Sequence, residues 1–277
     1  MNILMTNDDG FDSPGLQKLA CLLRLEEKNR VFVLAPDRNR SGISHALSIL
    51  SEPIRLSGLE EDSWSCSGYP ADCVIVAMQG GLPEKPDLVI SGINRGANLG
   101  TDLLYSGTAA AARQASLWDV PAVAFSLARY SPGGDSFVGD EIYNWDMAAC
   151  WSADHLEELA AMWKKDTFIN VNIPNSSGCP IGTLVTWPAF KRYNDTMTVM
   201  NAPDGKLWCF MKGGEESAAP EAGSDCDAVS RNYVSVSPVI IHQTVLKELC
   251  PAAPDYAAVT RRAVARRAVA GPDGKKE

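Results

Sequence analysis

Asp8 and Asp9 stand side by side, one residue beyond the apolar run 2–6. Two carboxylates at the end of a buried strand repel each other unless a cation, hydrogen bonds or a shared proton relieves the repulsion. A turn in which one aspartate caps the next helix and the other faces water would also satisfy them. Ser41 and Asn94 follow two further apolar runs and add neutral oxygen donors. An all-oxygen set without His or Cys suits Mg²⁺ or Mn²⁺ better than Zn²⁺. So small a set of protein ligands leaves several waters on the ion. Metal-bound water is a source of nucleophile, and the ion neutralises phosphoryl oxygens.

Ser106, Gly107 and Thr108 lead into the alanine-rich stretch 108–115, as strong a helix former as the chain contains. Hydroxyls and unencumbered N–H groups at a helix N-terminus favour an anion, although an ordinary Ser or Thr cap uses the same residues. Arg38 and Arg40 flank Asn39 and could meet a phosphate, or equally pair with Asp37 or another carboxylate. His45 reads as a hydrogen-bonded structural side chain. There is no G-x-x-x-x-G-K-[ST] loop, and Gly92, Gly96 and Gly100 are spaced unlike the dinucleotide fingerprint, so an ATP- or NAD-driven mechanism has no signature.

These residues must be carried by strand ends. The runs 2–6, 30–35, 87–91 and 122–126 are nearly continuous apolar segments, the pattern of strands buried on both faces of a parallel sheet. Pro14 suits the first turn of a helix with Ser13 as N-cap, and Leu16, Leu19, Ala20 and Leu23 recur at helical spacing. Strands alternating with helices predict an α/β fold: a Rossmann-like, mostly parallel sheet flanked by helices. In such a sheet ligands bind outside the carboxyl ends of the strands, where Asp8, Ser41 and Asn94 all fall. An amphipathic helix is expected over about 140–164 and a strand over 167–172. After about residue 185 the pattern changes to short strand-like pieces and turns, including Pro203-Asp204-Gly205, which predicts a β-hairpin arm. The division expected is therefore a catalytic core over 1–185 and, over 186–277, a hairpin extension with a C-terminal segment for oligomerisation. A terminal helix over 255–270 carries four arginines and reads as a solvated or subunit-facing surface.

With 25 basic and 34 acidic residues among 277, the net charge of −9 argues against a partner such as long nucleic acid. No window approaches the roughly 20 apolar residues of a membrane span, and the N-terminus lacks the regions of a signal peptide, so a cytoplasmic protein is expected. The eight cysteines include no Cys-x-x-Cys pair and read as reduced thiols.

Asn7-Asp8-Asp9-Gly10, Pro14-Gly15, the stretch 35–42 (Ala-Pro-Asp-Arg-Asn-Arg-Ser-Gly), Pro70-Ala71-Asp72-Cys73, Ser91-Gly92-Ile93-Asn94, Asn98-Leu99-Gly100 and Tyr105-Ser106-Gly107-Thr108 occur in this order. The ordered set resembles the SurE family of 5'/3'-nucleotidases over nearly all of residues 1–126. Asn170-Val171-Asn172-Ile173-Pro174, Gly223-Ser224-Asp225 and the run 233–238 resemble its later landmarks. Tyr69 departs from it, standing where many relatives carry a small hydroxyl residue, and 127–165 and 186–222 match poorly.

The resemblance implies a phosphomonoesterase acting on nucleoside 5'- and 3'-monophosphates with one divalent ion per subunit, and in some members activity on short polyphosphate. It places metal ligands at Asp8, Asp9, Ser41 and Asn94 and phosphate contacts at Asn98, Ser106, Gly107 and Thr108. It also implies a homodimer or homotetramer with an exchanged C-terminal segment. The mechanism expected is attack by a metal-associated water that Asp8 or Asp9 orients or deprotonates, with Asn98 and the 106–108 helix start stabilising charge. Two alternatives stand beside it: a phosphatase with Asp8 as covalent nucleophile, for which the D-x-D-x-[TV] pattern is missing, and a nucleotide-binding protein without catalysis.

Overall fold

The computed structural model describes residues 1–129, 143–176, 178–213 and 221–242. The first half of the chain runs β1 (Asn2–Thr6), α1 (Pro14–Arg24), β2 (Arg30–Pro36), β3 (Leu56–Glu60), β4 (Ser63–Cys66), α2 (Pro70–Val76), β5 (Leu88–Arg95) and α3 (Gly107–Ser116). Then follow β6 (Ala122–Arg129), α4 (Trp145–Asp154), α5 (Leu156–Met162), β7 (Thr167–Asn175), β8 (Gly182–Val185), β9 (Thr196–Asn201), β10 (Leu207–Lys212), α6 (Asp225–Ser230) and β11 (Tyr233–Ile240). Residues Met1–Ile241 form one compact unit. The expected arginine-bearing helix over 255–270 lies outside the described residues, as does Cys250.

Nine strands form one sheet in the order β3-β4-β2-β1-β5-β6-β7-β11-β8. From β4 to β7 all neighbours are parallel; β3 and β11 pair antiparallel with β4 and β7. The continuous apolar runs follow from this arrangement, because side chains that alternate along a central strand enter two cores. On one face Ile3, Met5, Val31, Val33, Val123 and Phe125 pack with α1, α4 and α5. On the other, Leu4, Phe32, Leu34, Val89 and Ala124 pack with α2 and α3. Ala109–Ala112 and Ala115 of α3 are all fully buried. Alanine serves there as a small side chain that lets the helix lie close to the sheet, in addition to its helix propensity.

Four local features differ from the sequence-based expectation. β5 does not stop at Gly92 but continues to Arg95 with a register shift between Ser91 and Asn94. Gly92 has φ +128°, and a Cβ there would lie 2.2 Å from the Phe125 carbonyl oxygen, so the glycine permits the strand to pass close to β6 instead of ending it. The helix expected over 140–164 is two helices parted at His155, whose Nδ1 meets the Trp151 carbonyl at 2.8 Å and whose ring stacks on Trp151. Ser13 does occupy the α1 N-cap, but its hydroxyl makes no cap bond and instead accepts from Asn7 Nδ2 at 2.6 Å. Finally, the stretch after 185 holds more than the arm. β9 and β10 form the expected antiparallel hairpin with every side chain exposed, whereas β11 is a strand of the main sheet.

The seven cysteines among the described residues are free thiols. No helix among the described residues is long and apolar enough to cross a membrane.

Candidate active site

The loops after β1, β2 and β5 and the start of α3 meet at one edge of the sheet, and backbone hydrogen bonds tie them together. Arg40 N–H donates to the Asp8 carbonyl at 2.6 Å, and Phe11 N–H to the Pro36 carbonyl at 2.8 Å. Asn7 braces its own turn, its Nδ2 donating to Gly10 O at 2.9 Å.

Asp8 is 3% exposed, and its carboxylate lies on the first turn of α3. Oδ2 accepts from Gly107 N–H at 3.1 Å and Oδ1 from the Thr108 hydroxyl at 2.5 Å. Gly107 is required by this approach: a Cβ would sit 2.8 Å from the Asp8 Cβ. Burial pushes the Asp8 carboxyl above its ordinary range; the Thr108 hydroxyl and the N–H groups of Thr108 and Gly107 oppose the shift. Asp9 turns the other way, its Oδ2 accepting from Arg95 N–H at 2.8 Å. Its carboxyl is pushed up to about 6, first by burial and then by the charge of Asp8. The anion held at this helix N-terminus is thus a side chain of the protein itself.

Asn94 is buried, and its Nδ2 donates to Gly96 O at 3.0 Å. Ser41 is exposed, and its N–H donates to Asn39 Oδ1 at 2.8 Å. Each adjoins a residue whose N–H bonds the aspartate pair: Arg40 to Asp8, and Arg95 to Asp9. Among the described residues none donates a hydrogen bond to Asn94 Oδ1, Ser41 Oγ or Asp9 Oδ1. Ser106 caps α3, its Oγ accepting from Ala109 N–H at 3.0 Å. Asn98 is fixed by strand ends: its N–H donates to Asn172 Oδ1 (2.8 Å), its Nδ2 to Ser126 Oγ (2.8 Å), and its carbonyl accepts from Asn170 and Asn172 Nδ2 (2.9 and 3.0 Å).

Arg40 follows the pairing alternative: Nη2 donates to Ser67 O at 2.7 Å and lies 3.5 Å from Asp37 Oδ1, with the guanidinium over the Tyr69 ring. His45 meets Gln114 Oε1 at 2.8 Å, and burial lowers its pKa, so it stays neutral as a structural side chain.

A family profile described as "Survival protein SurE" matches residues 3–195. The chain belongs to the SurE family. It is 40% identical over 244 residues to a "5'-nucleotidase SurE" from Syntrophotalea carbinolica, a match spanning 88% of this chain and 93% of that protein. Against the Geobacter sulfurreducens protein of the same description the identity is 39% over 246 residues, covering 88% of this chain and 89% of the other. The solved SurE protein from Aquifex aeolicus superposes with a TM-score of 0.76 at 34% identity, covering 90% of this chain and 97% of that one.

Two features of this SurE-family site have no role among the site residues named from sequence, although the 170–174 run was noted there as a family landmark. Asn170 and Asn172 are fully buried in an otherwise apolar strand, and an asparagine in such a run must find partners. That signal was readable, but the partner, Asn98, was not. The second feature is a cavity of about 270 Å³ beside Asp9, lined by Phe11, Asp12, Arg38, Arg95 and Trp145 among others. Trp145 arrives from α4, and no motif spacing links it to the β1 loop.

Proposed function

We propose that this SurE-family chain is a divalent-metal-dependent phosphomonoesterase that hydrolyses nucleoside 5'-monophosphates, with activity on 3'-monophosphates and on short polyphosphate. The description of its relatives as 5'-nucleotidases supports the reaction class. The observation that carries the site is the adjacent pair at the end of β1, with buried Asp8 against the N-terminus of α3 and half-buried Asp9 beside it.

In this reading Asp8, Asp9, Ser41 and Asn94 hold one Mg²⁺ or Mn²⁺ ion. The donor set fits: two carboxylates raised by burial, Asp9 further by the charge of Asp8, with Asp9 Oδ1, Ser41 Oγ and Asn94 Oδ1 free of hydrogen bonds from described residues. When bound, such an ion neutralises phosphoryl oxygens and supplies a nucleophilic water. The chain's own groups do the rest. Gly107 and Thr108 fix the Asp8 carboxylate, so its orientation costs no reorganisation during the reaction. The hydroxyl hydrogen of Ser106 and the second amide hydrogen of Asn98 are left for phosphoryl oxygens, beside the positive end of the α3 dipole. Asp8 or Asp9 orients or deprotonates the attacking water. In-line attack by water leaves no covalent enzyme species.

The protein is read as a cytoplasmic homodimer or homotetramer, with the catalytic groups in 1–185 and assembly served by 186–277. Phosphate release from a panel of mononucleotides with Mg²⁺ and Mn²⁺ tests the function. Asp8→Asn and Asp9→Asn are each expected to lower metal-dependent turnover at least about a hundredfold with the fold retained. Near-normal activity in either variant, phosphate trapped on Asp8, or wild-type protein that releases no phosphate from any mononucleotide would overturn the reading.

A further inference from the structure

The loop between β5 and α3 carries Asn98 at one end and Ser106 at the other, and the segment that fastens it comes from far along the chain. Leu99 packs against Cys226 and Val229 of α6. Gly100 N–H donates to Asp225 Oδ2 at 2.7 Å, while Asp225 Oδ1 accepts from Ala189 N–H at 2.9 Å and Cys226 N–H at 2.8 Å. The Thr101 hydroxyl makes two bonds to one residue, donating to Lys191 O at 3.0 Å and accepting from Lys191 N–H at 2.9 Å. Asp102 completes the series: Oδ2 lies 2.9 Å from Lys191 Nζ, and Oδ1 accepts from the Tyr193 hydroxyl at 2.7 Å. Four consecutive loop residues are therefore held by 189–193 and 225–229.

These are strong contacts. The Asp225 carboxylate is fully buried and takes three backbone N–H groups, which keeps a buried charge satisfied. The Lys191 side chain is 8% exposed, so its pairing with Asp102 is poorly screened by water. Burial pushes the Tyr193 phenol up to about 12, which keeps it a neutral donor to Asp102. From Lys191 the chain runs directly into β9 at Thr196, so the fastening segment is the base of the hairpin arm.

We infer that the base of the arm is a positioning element for the loop that carries Asn98 and Ser106, with Lys191 and Asp225 as its positioning residues. Neither contacts the phosphate groups assigned above; each acts through residues 100–102. A displacement of about 1 Å in such a loop is enough to lower a rate by up to about a hundredfold. The catalytic consequence rests on the nucleotidase reading; the positioning itself does not.

Lys191→Met keeps the apolar stem and removes the ammonium, and Tyr193→Phe removes the second donor to Asp102. For Lys191→Met, kcat for a mononucleotide is expected to fall at least about tenfold while KM and the Mn²⁺ dissociation constant stay within about twofold. Lys191→Arg should recover most of the rate. Amide exchange of residues 99–104 should rise in both variants while that of β1 and α1 stays at the wild-type level. This last readout needs no activity: a wild-type protein that hydrolyses nothing removes the nucleotidase reading, and the exchange data still decide the positioning. Unchanged exchange over 99–104 together with wild-type kcat in a folded Lys191→Met protein overturns the inference. Should Lys191→Met not fold, the same two measurements on Tyr193→Phe decide it.

Discussion

Asp8 and Asp9 are neighbours in the chain, but their side chains serve opposite faces of the sheet edge. Asp8 is inside, held by three donors, and Asp9 is at the rim, held by one and repelled by its neighbour. This predicts a pH dependence for the metal-free protein. The Asp9 carboxyl is pushed up to about 6, above the ordinary aspartate value of about 3.9, so the folded state binds the proton more tightly than the unfolded one. Its contribution is most favourable below about pH 4 and is lost as pH rises through 6, by up to about 3 kcal/mol. Denaturant midpoints of the metal-free wild type and Asp9→Asn should therefore diverge over this window, the wild type losing stability relative to the variant as pH rises. Parallel curves would show that Asp9 is not raised. Metal binding runs the other way, because carboxylate ligands must be deprotonated, and Mn²⁺ affinity should weaken below about pH 6. The pair itself was legible from its residue types. That Gly107 and Thr108 grip Asp8 was not, since a helix start shows that an anion is welcome but not which one.

At the scale of elements, Gly92 shows how a local rule and a tertiary contact compete. Taken alone, a glycine following three apolar residues and a serine ends a strand. In the sheet it lets β5 continue past the Phe125 carbonyl and deliver Asn94 to the edge. Gly92→Ala should destabilise the fold by at least about 2 kcal/mol, from the clash and the positive φ together, read as a lower denaturant midpoint. A midpoint shift under about 0.5 kcal/mol would mean that β6 can give way. The parallel strands were legible because burial on both faces leaves uninterrupted apolar runs. The hairpin was legible from its Pro-Asp-Gly turn. The place of β11 beside β7 was not, because partner choice between strands some sixty residues apart is decided by packing and not by local pattern.

For the whole molecule, the arm sets a different balance from the core. Phe190, Met197, Trp208, Phe210 and Met211 stand 47–79% exposed on or beside it, and apolar surface of that kind is characteristic of contact between chains. Replacing Trp208 and Phe210 by serine should lower the mass measured by light scattering below that of the wild type, with the core's stability unchanged. A wild-type chain at 29.8 kDa in solution would remove the assembly role. The net charge of −9 speaks against long nucleic acid; under the nucleotidase reading, a single phosphate would meet its complement locally, at a strand end and a helix start.

The contact between Gly107 and Asp8 also limits how the site can change. Because a Cβ at 107 would meet the Asp8 side chain, which Thr108 holds in place, a saturation library at this position should return glycine alone. Under the nucleotidase reading, adaptation to a new substrate would then enter from the cavity beside Asp9. There Asp12 and Arg38 face the cavity from exposed positions and can be exchanged without disturbing the strand end.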